Sequence, residues 1–176
     1  MRQRCYNEIN ISSLSTEHET DFNKENNIMA KVLVVADINQ GVLKRSTAEL
    51  LSKAKAIGAE TAVVAIGRNI ESLIPGLVDA GSDTQYVADD PALELFSAGP
   101  YASCVVEAAK QFGADLIWFG FSEGGKAVAP RVATQLDAAC ANEITALTLE
   151  GDQIEVIRPA ITNKVIQRVK VNTDRL

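Results

Sequence analysis

One stretch of this sequence concentrates the residue types that bind anions. Gly120-Phe121-Ser122-Glu123-Gly124-Gly125-Lys126-Ala127 follows an apolar run and opens a segment with helical spacing. Gly120, Gly125 and Lys126 satisfy the first seven positions of GxxxxGK[ST], in which backbone N–H groups and a lysine cradle nucleotide phosphates. The eighth position is Ala127, so the hydroxyl that would bind the nucleotide's magnesium is missing. The stretch also follows the fourth strand of the body, later than such a loop usually stands. A working ATPase loop is not expected. A milder chemistry survives, because N–H groups at a helix N-terminus, freed by glycines and joined by a lysine, suit an anion. The candidate anion or nucleotide loop is therefore Gly120, Ser122, Gly124, Gly125 and Lys126. A structural reading stands beside it: Gly124-Gly125 allow close packing of helix on sheet, and Lys126 is solvated or paired with Glu123.

The other chemistry-bearing residues favour structural roles. Asp89-Asp90 precede Pro91 in a loop, where adjacent carboxylates point apart into solvent instead of converging on a metal. Arg131 and Arg158 need a carboxylate or carbonyl partner if buried. Pro130 reads as a residue of its helix's first turns, where a missing donor costs little. Trp118 reads as core, and Cys104 as packing on the apolar side of its helix. The single histidine, His18, lies in a polar N-terminal stretch. A Ser-His-Asp relay or a histidine-rich metal site is not expected, and no catalytic constellation is assigned.

The elements that must position the loop alternate. Val32 to Ala36 is a β-branched run, as in a strand buried on both faces. A turn at Asn39-Gln40-Gly41 leads to a helix over 46–57, with Ser46 and Glu49 as a capping box and Gly58 as its stop. Strands follow at 62–66 and 85–88, around a short helical piece at 70–80 that Pro75-Gly76 interrupts. A helix over 100–112 ends at Gly113, a fourth strand spans 116–119, and a helix spans 126–136. Such alternation predicts an α/β fold, a doubly wound and mostly parallel sheet with helices on both faces. The last third changes style, with strands at 143–149, 153–157 and 164–171 and a hairpin turn at Gly151-Asp152. These C-terminal strands read as antiparallel.

Composition bounds the rest. The chain has 176 residues, and its net charge of −6 excludes a general nucleic-acid binder, which needs a basic face. No apolar run approaches the roughly 20 residues of a membrane-spanning helix. Cys5, Cys104 and Cys140 lack CxxC spacing and read as reduced thiols of a cytoplasmic protein. Residues 1–28 are dominated by Asn, Ser, Thr and Glu and read as a disordered extension, with the folded domain spanning 29–176. Asp174-Arg175-Leu176 come directly after a strand, which reads as truncation.

Met29-Ala-Lys-Val-Leu-Val-Val-Ala-Asp, the helix beginning Ser46-Thr47, Gly113-Ala-Asp-Leu-Ile, and above all Ser122-Glu-Gly-Gly-Lys-Ala-Val-Ala-Pro-Arg-Val-Ala carry a resemblance. Together with Arg158-Pro159, they resemble the N-terminal domain of an electron-transfer flavoprotein alpha subunit. The resemblance covers Met29 to Leu176. It implies a fold of the adenine-nucleotide α-hydrolase-like type and a scaffold that pairs with a beta subunit. It also implies electron transfer from flavin dehydrogenases through FAD held by a C-terminal domain outside this chain. In the family AMP belongs to the beta subunit. The sequence departs from the family's Tyr-Ala-Gly-Asn-like turn, reading Ala160-Ile161-Thr162-Asn163-Lys164. The alternative is a stand-alone nucleotide-binding α/β module that uses the Gly120 to Lys126 loop.

Overall fold

The computed structural model describes residues 30–150, 153–162 and 164–171. The expected extension over 1–28, His18, Cys5, the Gly151-Asp152 turn and the last five residues lie outside them. The described residues form two compact units, which meet in sequence between Cys140 and Ala141.

The first unit is built on four parallel strands in the order β5-β4-β1-β6. They are β1 (Lys31–Val35), β4 (Glu60–Gly67), β5 (Thr84–Asp89) and β6 (Leu116–Phe119). Val32, Leu33 and Val34 have no solvent exposure, which is why β1 reads as an unbroken apolar run. From β1 the chain steps outward to β4 and β5 through α1 (Arg45–Ala56) and α2 (Ile74–Asp79). It then returns over the sheet through α3 (Ala98–Phe112) to place β6 on the far side of β1. Right-handed crossovers put helices of outward and returning connections on opposite faces. The returning face is one buried cluster, in which Leu33, Ala62, Val64 and Ile66 meet α3 residues such as Val105 and Phe112. Val128 and Val132 of α4 (Glu123–Gln135) join the same cluster. On the outward side α1 packs on β1 and β4 and buries Thr47, Leu51 and Ala54.

Several boundaries differ from the sequence pattern. A small hairpin of β2 (Ile38–Asn39) and β3 (Val42–Leu43) surrounds the expected turn, with Gln40 at φ 50° and Gly41 at φ 73°. Two left-handed residues are what a tight two-residue hairpin needs. The hairpin brings the Lys44 N–H onto the Asp37 carbonyl at 2.9 Å and so starts α1 at Arg45. Ser46 is therefore inside the first turn, and the expected capping box does not form. Its hydroxyl donates to the Asp37 carboxylate at 3.5 Å instead. Pro75 does not interrupt α2 but sits in its first turn, after a short 3₁₀ turn at Glu71–Leu73. Pro130 lies well inside α4 and not near its start, because the helix, capped by Ser122, begins at Glu123, three residues earlier than Lys126.

At the other end of the sheet, Asp83 ties β4 to the turn before β5. Its carboxylate accepts the Thr61 hydroxyl at 2.6 Å and the Thr61 N–H at 3.0 Å. The Thr61 hydroxyl bond, followed by its N–H bond and Lys55, holds the Asp83 carboxyl below its ordinary 3.8, although burial opposes the shift. A carboxyl depressed in the folded state stabilises above its unfolded pKa, and that contribution is lost as pH falls through the folded value. Thr61→Val should therefore lower stability by about 1–2 kcal/mol near neutral pH. Its deficit should shrink as pH falls through the depressed folded-state value of Asp83, below which the carboxyl is protonated in both proteins. Urea midpoints of both proteins across that range test this, and a constant deficit would refute the carboxylate's part.

The second unit is an antiparallel sheet of β7 (Ala146–Glu150), β8 (Gln153–Ala160) and β9 (Val165–Val171) in that order. Glu150 pairs with Gln153, so β7 and β8 form the expected hairpin. Ile154, Val156, Val169 and Val171 are buried. Ile161 and Thr162 follow β8 at φ 49° and 54°. Left-handed backbone costs a β-branched residue roughly 1–2 kcal/mol, so the turn without glycine carries strain.

Candidate functional site

The loop between β6 and α4 closes on itself. Ser122 N–H donates to the Gly120 carbonyl at 2.8 Å, and Gly125 N–H donates to the Ser122 hydroxyl at 3.2 Å. Ser122 is the N-cap of α4, satisfying one of the four N–H groups a helix start leaves unpaired. Glu123 occupies the first turn, where the helix dipole favours a negative charge. A Cβ on Gly125 would lie 2.3 Å from the Gly120 oxygen, so the close approach admits only glycine. On Gly124 a Cβ would meet the Phe96 ring at 3.6 Å, an ordinary contact. The close-packing reading of the glycine pair thus has geometric support at Gly125 alone.

Gly120, Ser122, Gly124 and Gly125 line a cleft of about 70 Å³. It lies at the carboxyl ends of β1 and β6, where the chain reverses the direction in which strands are added. Open α/β sheets bind ligands at that position. Its walls include Phe96, Tyr101 and Phe119, and among the described residues its one charged lining residue is Asp37. The Asp37 carboxylate takes Lys44 at 3.5 Å and the Ser46 hydroxyl at the same distance. The Tyr101 hydroxyl donates to the Leu93 carbonyl at 3.1 Å, and burial pushes its pKa up.

Lys126 is not among the lining residues. Its ammonium lies 3.0 Å from Glu123 Oε1 and 4.1 Å from the centre of the exposed Phe121 ring. The structure thus gathers four of the five candidate residues and turns the lysine to its helix neighbour. Asp37 and Phe96 were missed by sequence reasoning. A carboxylate just past the first strand was a usable signal for Asp37, whereas Phe96 sits in a loop with no motif.

The remaining candidates have local work. Asp89 accepts the Asn69 and Ile70 N–H groups, both at 2.8 Å, and Asp90 accepts the Ala92 N–H at 2.7 Å. The doublet shapes two turns. Trp118 is only partly buried, because β6 is a sheet edge among the described strands. Cys104, on α3, packs against the buried cluster of the returning face, and burial raises its thiol pKa, which disfavours the reactive thiolate. Arg131 is exposed. Arg158 has its Nε buried without a hydrogen-bond partner among the described residues. No group of three or more His, Cys, Asp or Glu is placed to hold a metal among the described residues. No described helix is long and apolar enough to cross a membrane.

Residues 32–176 match the family model of the electron transfer flavoprotein domain. Among curated proteins, the alpha subunit of the electron transfer flavoprotein of Bacillus subtilis is 27% identical over 146 residues, covering 82% of this chain and 45% of that subunit. The alpha subunit of Thermoanaerobacterium thermosaccharolyticum is 28% identical over 144 residues, covering 79% of this chain and 44% of its own length. The LctC subunit of the NAD⁺- and ferredoxin-dependent lactate dehydrogenase of Acetobacterium woodii is 27% identical, with 36% of its length covered. The chain therefore spans less than half the length of these relatives. With nearly all of both described units inside the matched range, the chain belongs to the electron transfer flavoprotein domain family.

Proposed function

We propose that this chain is the N-terminal domain of an alpha-type subunit, acting as a scaffold that docks a beta subunit. The observation that carries this reading is the family match over 32–176, with alpha subunits among the relatives it resembles. In the assembled complex, electrons from flavin dehydrogenases pass through FAD held outside this chain. The protein works as part of an electron carrier and not as a catalyst, and we assign it to the cytoplasm.

The cleft at the sheet's switch point does not fit FAD. A cavity of roughly 150 Å³ is what admits a single benzene ring. The cleft at the sheet's switch point offers about 70 Å³, and the charge on its wall is the Asp37 carboxylate. That carboxylate is paired with Lys44, and the described lining residues offer a pyrophosphate no positive charge. No electron-transfer step is therefore routed through these residues. Mixed with the beta subunit of its own system, the chain should co-elute with it as a one-to-one complex in size-exclusion chromatography. Two independent peaks at micromolar concentrations would reject the scaffold reading.

A second reading rests on the convergence of Gly120, Ser122, Gly124 and Gly125 at a helix N-terminus in that cleft. It makes the chain a stand-alone module that holds an anion or nucleotide on the loop. Cleft size and the lack of positive charge among the described lining residues weigh against it. A ligand that binds only the native state, at about 100 times its Kd, stabilises by about 2.7 kcal/mol. Melting curves in millimolar AMP or ATP separate the two readings. On the scaffold reading they stay flat, and a rise of several degrees would favour the module.

A further inference from the structure

We draw no further inference here: the strongest candidate, the exposed apolar side chains of Leu95, Phe96 and Phe121 on the loops that follow β5 and β6, is an unpartnered surface, and nothing in the structure shows what covers it.

Discussion

Gly125→Ala should lower stability by about 3 kcal/mol, while the same change one residue earlier should leave it within about 1 kcal/mol. The new methyl at Gly125 meets a backbone oxygen at 2.3 Å, and a carbonyl in a closed turn has no rotamer by which to withdraw. Either α4 moves off the loop or the turn opens. Opening breaks the Ser122 cap, worth about 1 kcal/mol, and displacing a packed helix adds about 1–3 kcal/mol. Gly124→Ala meets the half-exposed Phe96 ring and the Ser122 hydroxyl at ordinary contact distances and removes a helical glycine, which favours folding slightly. For a chain of this size, 1 kcal/mol corresponds to about 2–4 °C. Gly125→Ala should thus melt roughly 6–12 °C lower than Gly124→Ala. Equal melting temperatures would show that the turn yields freely and that the glycine is not required for closure.

Leu33→Ala should cost about 3–4 kcal/mol, the loss of transfer energy together with the cavity left behind. Leu33 lies in the middle strand β1, has no solvent exposure, and faces α3 across the returning side of the sheet. Strands on both sides of β1 hold its backbone, so the site has little room to collapse. Val42→Ala provides the comparison, since Val42 is 64% exposed at the hairpin and its truncation should stay within about 0.5 kcal/mol. Denaturant midpoints at unchanged slope measure both. A Leu33→Ala deficit below about 1.5 kcal/mol would mean that the α3 face is loosely packed.

These two sites differ in how far they were visible in the sequence. Leu33 belongs to a β-branched run whose burial on both faces follows from its lack of polar alternation. Gly125 stood out through its spacing from Gly120 and Lys126, and that spacing supported two roles equally. The distance from its missing Cβ to the Gly120 oxygen favours packing. Lys126 turns to Glu123 and Phe121, because a side chain three residues along a helix is a near neighbour. The cap at Ser46 failed for a related reason. A capping box is a local pattern, whereas α1 starts where the β2–β3 hairpin delivers the chain, and Asp37 claims the hydroxyl.

By itself the sequence determined the alternation of strands and helices, the parallel character of the first sheet and the antiparallel end. It also determined the helix stops at Gly58 and Gly113, both at positive φ in the structure. Each of these follows from periodicity or from the backbone freedom of one residue, and both act over a few neighbours. Only the tertiary structure decided that β6 lies beside β1 and not beyond β5. That strand order brings Asp37, from the end of the first strand, against Gly120, from the end of the last. It also puts Asp37 on the wall of the cleft. Which strands become neighbours depends on how apolar faces are buried across the whole sheet, and no local stretch of sequence encodes that choice.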